Sequence, residues 1–512
     1  CPRLTVGYTF RKSRRQELLF AIKLDGCRAA AAADKIAFRK NPKISVTVRV
    51  QETDLPPSDH AVSLSAHDRA YCLMPLQLVT KPKDRRTIAR QQQAALDRQA
   101  RARETGNQNP DDLDAAAAAE VLQWECPVNW VRIDPEGEWL AEVRVPIEQI
   151  GLEGMITAQL RKERPADVGA QLHAIAYLRA RAEAGSTSAV NALLHCVEDA
   201  KTFCRVRADA AKALGACACD DTQRSNLAMT SVMRTYRKRR CDPETGLPAP
   251  TDLRNYADAL VDEGLVAALG LPRVPAREAA ANDMVDYTTP SECVDLLVDM
   301  LNNLESDGDP HDMSSLVATA LRALGAASLE KTDALQSSLD AISRWLTKDV
   351  NICGVGGRTH AGGRRVTTAA LEALRAVATR LPSLARVVAV ERDARADARA
   401  ASKKTLRDAA SLRRGVSAAL ARCQEAIDAA SKDACQAVRR AGAALAFDVE
   451  MKHGGVAGAA RALANSVLRC KVEHGAAAKA TLLWDARARM VDIETAAKVF
   501  ALLEAEGPTA AS

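Results

Sequence analysis

The chain has 512 residues, of which 47% are apolar and 27% charged, and its formal net charge is +6 at pH 7. This length predicts two or more domains, each with its own core, and the mild positive charge permits a nucleic-acid partner without requiring one. No apolar run reaches about 18 residues, which excludes an ordinary transmembrane helix, and we expect no membrane partner.

Only 3% of the residues are aromatic, and alanine is used heavily, which predicts helices packed closely through small side chains. The chain begins Cys1-Pro2-Arg3, without an initiator methionine or the charged and apolar regions of a signal peptide. We therefore expect a fragment whose N-terminal part is missing. The fourteen cysteines form no secreted-type framework, and a reducing nuclear or cytosolic compartment fits them best.

The N-terminal part of the chain has the period of two that is typical of β-strands. Residues 4–10 and 17–22 read as two strands joined across a basic turn, and residues 44–50 alternate cleanly. This pattern predicts a small antiparallel sandwich. Residues 85–119 are rich in Gln, Ala, Arg and Asp and predict a linker or an exposed helix. A second strand-rich stretch extends from Val121 to about Val145, and its Trp130 and Trp139 are predicted to be buried.

After Gly154 the pattern becomes helical and repetitive. An Ala-x-x-x-Leu-like word ends at Leu178, Leu214, Leu324, Leu374 and Leu445. We interpret the spacing as helix pairs of roughly 36 to 40 residues with an insertion, the range of HEAT and armadillo repeats. The predicted fold is mainly α, with a short N-terminal antiparallel β-sandwich over residues 1–150, a low-complexity insert at about 85–119, and a HEAT/armadillo-like α-solenoid over residues 151–512.

Several uncommon words occur together near the change from strands to helices. They are residues 127–135 (PVNWVRIDP), 138–140 (EWL), 159–160 (QL), 167–175 (DVGAQLHAI) and 203–214 (FCRVRADAAKAL). In this order they resemble the TFIID subunit 2 family, TBP-associated factors built on an aminopeptidase-like scaffold. The resemblance covers roughly residues 4–325.

The resemblance implies a non-catalytic, architectural role. Members of the family sit in TFIID in the nucleus, help to position it over the core promoter during assembly of the RNA polymerase II preinitiation complex, and dock on other TBP-associated factors. In the family, an aminopeptidase-like region without an intact zinc site precedes the sandwich. Two alternatives stay open, namely the C-terminal part of an M1-type zinc aminopeptidase and a generic HEAT-repeat adaptor with protein partners alone.

No pattern in the chain predicts a catalytic, cofactor or metal site. Zinc aminopeptidases need an H-E-x-x-H helix, and none occurs in the 512 residues. His195, Cys196, Cys204, Cys217 and Cys219 lack the paired spacing of structural zinc ligands and are interpreted as ordinary core or surface residues. The glycine cluster at residues 353–363 lacks the Gly-Lys-Ser/Thr ending of a phosphate loop, and the acidic run at 305–312 lacks the distal Glu of an EF-hand. Both are predicted to be loops.

The best candidate functional feature is a basic run at residues 234–240, RTYRKRR. It places five cations and one aromatic residue in a single short stretch, a density suited to phosphate contacts. The alternative interpretation is a charged helix end favoured by the helix macrodipole. The candidate nucleic-acid-binding residues are Arg234, Arg237, Lys238, Arg239 and Arg240.

Overall fold

The structure is a computed structural model of the whole chain. It describes residues 3–12, 16–25, 43–52, 55–65, 72–79, 93, 128–138, 142–144, 167–183, 186–217, 223–248, 255–272, 274–275, 287–304, 314–329, 332–354, 363–382, 387–389, 392, 403–431, 433, 435–453, 459 and 462.

The N-terminal part is built of β-strands. They are β1 (Arg3–Lys12), β2 (Gln16–Asp25), β3 (Lys43–Glu52), β4 (Ser58–Ser65), β5 (Cys72–Gln77), β6 (Val128–Ile133) and β7 (Glu142–Arg144). One sheet has the order β5-β2-β1-β7 and the other the order β4-β3-β6. The predicted N-terminal β-region is thereby confirmed, and β1 and β2 pair antiparallel across the basic turn as expected.

One strand pair departs from the predicted antiparallel arrangement. β7 pairs in parallel with β1, with Leu4 opposite Val143. The physical reason is the connection, because β6 belongs to the other sheet. A strand that crosses from one sheet to the other is not bound by hairpin geometry, which would force an antiparallel pair.

Alternation along the strands separates the core of the sandwich from its surface. On β3, Val46, Val48 and Val50 are buried, whereas Ser45 is exposed. The same period-two pattern buries residues on the other strands, namely Leu4, Val6, Leu18, Phe20, Ile22, Val62, Leu64, Leu76, Val131 and Ile133. Successive side chains of a strand point to opposite faces, so one register places every apolar residue inward.

The end of β6 connects the strands to the first helix. Trp130 is buried, as predicted, while Trp139 lies outside the described residues. The Arg132 guanidinium is 3.3 Å from the Asp167 carboxylate and also donates to the Pro135 carbonyl at 2.7 Å. Asp167 in turn accepts the Ala170 N–H at 2.7 Å, which caps the helix. This ion pair connects two of the sequence motifs that carried the family resemblance, namely residues 127–135 and 167–175.

The remaining described chain is helical. Its helices are α1 (Val168–Glu183), α2 (Thr187–Glu198), α3 (Cys204–Cys217), α4 (Gln223–Arg240), α5 (Tyr256–Leu269), α6 (Ser291–Asn303), α7 (Ser314–Ala326), α8 (Thr332–Gly354), α9 (Gly363–Arg380), α10 (Lys403–Ser431) and α11 (Gln436–His453), with a two-residue ladder of β8 (Val274–Pro275) and β9 (Tyr287–Thr288). Within the part that the structure describes, none of these helices is long and apolar enough to span a membrane.

The chain divides into two compact units, and the boundary is not where the strands end. The first unit contains residues 1–217 and 222–228, and the second contains residues 218–221 and 229–512. In the first unit α1, α2 and α3 pack on one another. Arg207 is buried there, and its Nε donates to the Val197 carbonyl near the end of α2 at 3.0 Å.

In the second unit the helices form two rows. α5, α7, α9 and α11 pack successively in one row, α6, α8 and α10 form the other, and most neighbours in sequence pack across the rows. This is the arrangement expected of a solenoid, in which each repeat contacts the next. The interval between Leu374 and Leu445 is one step along the row, because α9 packs directly on α11 and the long α10 lies between them in sequence.

Small residues set the distance between packed helices, both within a row and across the rows, as the composition predicted. A Cβ added to Gly325 of α7 would lie 2.5 Å from the Ala373 Cα of α9, and one added to Gly442 of α11 would lie 2.5 Å from the Ala430 Cβ. A Cβ at Gly270 would collide with the Ala323 carbonyl. Backbones this close leave no room for a side chain at these positions.

Several predictions concern residues outside the described ranges. They are all of the linker at 85–119 except residue 93, most of the glycine cluster at 353–363 and the acidic run at 305–312. Within the glycine cluster, Cys353 and Gly354 end α8, and Gly363 begins α9.

We predict that Gly325→Ala destabilises the protein by about 1 to 3 kcal/mol, because the new methyl group meets backbone atoms of α9 that cannot rotate away. Chemical denaturation followed by circular dichroism measures the change. Ala176→Leu is the control, since Ala176 is exposed on α1 and surface substitutions stay within about 0.5 kcal/mol. Equal stability of Gly325→Ala and wild type would contradict the close approach.

Candidate nucleic-acid interface

The basic run forms the C-terminal end of α4. Val232, Met233 and Tyr236 are buried at helical spacing, whereas Arg234, Arg237 and Lys238 are exposed. The exposed residues stand at i, i+3 and i+4, so they share one face of the helix. Cations in the last turn of a helix also interact favourably with its unpaired carbonyl groups. The sequence pattern thus produces an amphipathic helix end with one apolar and one basic face.

The aromatic residue of the basic run faces the core. Tyr236 is buried, its hydroxyl lies 3.0 Å from the Met300 Sδ of α6, and burial raises its pKa. Met233 lies 3.8 Å from the Cys293 Sγ on the same helix. Tyr236 therefore anchors α4 against α6, and it does not present a ring to a ligand.

The five candidate cations belong to two groups. Arg239 donates from Nη2 to Asp258 at 2.8 Å and from Nε to Asp262 at 3.0 Å. Arg240 lies 3.3 Å from the second carboxylate oxygen of Asp262. These two arginines are thus paired with acids of α5, whereas Arg234, Arg237 and Lys238 remain exposed to solvent.

Asp262 is the residue of this region whose ion pairs sequence reasoning missed. Its side chain is 1% exposed, and burial raises the pKa of its carboxyl while Arg239 and Arg240 oppose that shift. A buried carboxylate is tolerated only when charged or polar groups satisfy it. The sequence contained one indication that Asp262 is buried. Asp262 lies on the apolar stripe of α5 together with Leu265, Val266 and Leu269.

A short turn follows α4 directly. Cys241 and Pro248 form a β-bridge, and the Asp242 N–H donates to the Leu247 carbonyl at 2.9 Å. The Asp242 carboxylate accepts the backbone N–H of Glu244 at 2.7 Å. Asp242 and Glu244 of this turn are exposed and follow the basic run directly, so they lower the local positive charge. Arg234, Arg237 and Lys238 are nevertheless exposed on one face of α4.

The described residues contain no group of three or more His, Cys, Asp or Glu side chains placed to hold a metal ion. Of the cysteines considered as ligands, Cys196 is buried, and this raises its thiol pKa to about 12. Cys217 is also buried and donates to the Ala213 carbonyl at 2.9 Å, whereas Cys204 is partly exposed. His195 is exposed on α2, and Cys219 lies outside the described residues.

Two similarities to known proteins bear on these features. Residues 1–148 match the family model described as the TAF2 Ig-like domain. The chain is also 24% identical over 279 residues to the transcription initiation factor TFIID subunit 2 of Schizosaccharomyces pombe, a match that covers 50% of the chain and 21% of that protein. The chain thus spans about a fifth of the length of the relative it matches. These similarities confirm the resemblance inferred from the sequence.

We predict that Asp262→Ala destabilises the protein by about 1 to 3 kcal/mol, because both arginines lose their shared partner. The cost stays below that of breaking a fully buried pair, since Arg239 and Arg240 retain some contact with water. Asp258→Ala is the matched control on the same arginine, and its exposed carboxylate should contribute less than about 1 kcal/mol. Thermal unfolding of the two variants tests the order, and equal losses would contradict the role assigned to Asp262.

Proposed function

We propose that this TAF2-like chain is part of a non-catalytic scaffold subunit of TFIID, acting in the nucleus in core-promoter binding and preinitiation-complex assembly. The observation that carries the proposal is the agreement of two similarities. Residues 1–148 match a TAF2 domain model, and half of the chain aligns with a protein named as TFIID subunit 2. The proposed domains are a sandwich over residues 1–150 and a solenoid over residues 151–512.

The architecture supports a scaffold role. Rows of stacked helices expose extended surfaces that suit large protein partners, and the described helices of the second unit form such rows. We propose that other TBP-associated factors dock on these surfaces.

The absence of H-E-x-x-H from the 512 residues supports a non-catalytic role. The zinc aminopeptidases use that motif for two zinc ligands and a general base. A chain without it does not supply those groups.

The basic face supports a contribution to DNA binding. Arg234, Arg237 and Lys238 are exposed on one face of α4, and Arg239 and Arg240 hold that helix end to α5 through Asp262. We propose that the three exposed cations contact phosphates. Phosphate contacts position a protein on DNA and carry no base information, so this face does not select a sequence.

Association with TFIID is tested by tagging the full-length protein at its chromosomal locus. Affinity purification from nuclear extract should recover TBP and other TBP-associated factors in stoichiometric amounts. Recovery of adaptor partners without TBP would support a generic helical-repeat adaptor and contradict the proposal. Peptidase activity in the purified material that disappears with a zinc chelator would support the aminopeptidase alternative.

The DNA contact is tested with the triple variant Arg234→Gln, Arg237→Gln and Lys238→Gln. Each phosphate contact contributes about 0.9 to the slope of log K against log salt concentration, so the slope should fall by about 2 to 3. Promoter and scrambled duplexes should lose affinity equally. The control is Arg365→Gln, Arg414→Gln and Lys452→Gln, which removes the same charge from exposed positions on α9, α10 and α11. Equal slopes for the two triple variants would contradict a specific contribution of α4.

A further inference from the structure

The outer strand of the three-stranded sheet leaves backbone groups exposed at its edge. The order of that sheet is β4-β3-β6, so within the described residues β4 has a neighbouring strand on one side only. The N–H and C=O groups on the other side of such a strand are a template for pairing with another extended chain.

The four edge strands of the described sandwich differ in how well they are protected. β5 contains Pro75, which has no N–H to donate, and β7 is three residues long. α1 packs against β6 and is linked to it by the ion pair between Arg132 and Asp167. β4 extends over eight residues, Ser58–Ser65, and has none of the lysines, arginines, prolines or bulges that commonly protect an edge.

The register of the sheet shows which backbone groups of β4 point outward. The Asp134 N–H donates to the Thr47 carbonyl at 2.8 Å, so the backbone groups of Thr47 point towards β6. Thr47 is paired with Ala61 on β4. In an antiparallel pair the two residues point their backbone groups either towards each other or away from each other. The N–H and C=O of Ala61 therefore point away from β3, as do those of Asp59, which is paired with Arg49.

The side chains of β4 define the kind of segment that fits beside it. His60 is half-buried and Val62 is buried on the inner face of the sandwich, so residues placed next to them should be apolar. On the outer face, Arg49 lies 2.6 Å from Asp59 and 2.8 Å from Glu136. One cation between two carboxylates leaves a net negative charge, which favours a lysine or arginine opposite Asp59.

We propose that β4 binds an extended segment of a protein partner as an additional antiparallel strand. Polar residues of this segment, with a lysine or arginine opposite Asp59, lie on the outer face of the sheet, and its apolar residues lie on the inner face. Main-chain hydrogen bonds supply the affinity in this mode of binding, and the alternating side chains supply the specificity. The surface belongs to the first unit and is independent of the proposed DNA contact of α4.

Binding of a model segment to the full chain tests the proposal. The probe is the fluorescently labelled peptide KVTVKVTVK, and its affinity is measured by fluorescence anisotropy. Directly opposite residues of an antiparallel pair have side chains on the same face, so the lysine and threonine residues point their backbone groups at Asp59 and Ala61. N-methylation of the lysine and threonine amides should abolish binding, because it removes the donors. N-methylation of the valine amides, which point to solvent, should leave the affinity unchanged.

Substitutions at Ala61 test the same hydrogen bonds from the side of the protein. Ala61→Pro removes an outward N–H that does not bond to β3, so the fold should persist. The affinity for the peptide should fall by about three- to tenfold, the effect of one hydrogen bond. Ala61→Val is the matched control, because valine keeps the N–H and favours a strand, and it should bind as wild type does. Circular dichroism checks that both variants are folded, and the two methylated peptides decide the question if Ala61→Pro is not.

The charge preference is tested with the peptide EVTVEVTVE. It should bind up to about fivefold more weakly than the lysine peptide, although the net charge of +6 on the whole chain would favour it.

Three results would overturn the proposal. They are absence of binding of KVTVKVTVK at millimolar concentration, equal affinity of the two N-methylated peptides, and equal affinity of folded Ala61→Pro and Ala61→Val. Analytical ultracentrifugation gives one further outcome. Dimerisation that excludes the peptide and that Ala61→Pro abolishes would assign β4 to a second copy of this chain, and would also overturn the proposal.

Discussion

The close approach of helix backbones through glycine and alanine is the constraint on which the second unit depends. At Gly325 and Gly442 there is no space for even one additional methyl group. Leu321 and Leu324 of α7 and Leu371 and Leu374 of α9 are all buried. Packing at native density requires that every void be filled, and short distances between backbones achieve this without large side chains. The low aromatic content and the heavy use of alanine follow from the same geometry.

Arginine side chains also link neighbouring elements, because they span distances that glycine and alanine side chains do not. Arg132 links β6 to the cap of α1, and Arg207 reaches the Val197 carbonyl of α2. Arg380 of α9 donates to the carbonyls of Gly325 and Ala327 at the end of α7, at 2.7 and 3.1 Å. The last carbonyls of a helix have no partner within that helix. A guanidinium group from a neighbouring helix satisfies them and fixes the relative position of the two helices.

These structural arginines change how the charge of the chain is interpreted. Arg239 and Arg240 belong to the basic run in sequence, but their partners are Asp258 and Asp262. A cation that pairs with a buried acid contributes to the position of a helix end, and it is less available to a phosphate. The proposed interface is consequently smaller than the run suggests, and the expected salt dependence is correspondingly weaker.

Periodicity alone determined the class of each region, because a strand buries alternate residues and a helix buries one stripe. It predicted β3 from the alternation through Val46 and Val48, and it predicted the helical word that Leu324 and Leu374 complete. The parallel partner of β1, the single step between Leu374 and Leu445, and the pairing of Arg239 were decided by tertiary structure. Each depends on which distant segments lie side by side, and a local pattern does not contain that information. At the candidate site, sequence identified the basic run, but only the position of the buried Asp262 carboxylate separates the arginines that hold α4 in place from the cations that face solvent.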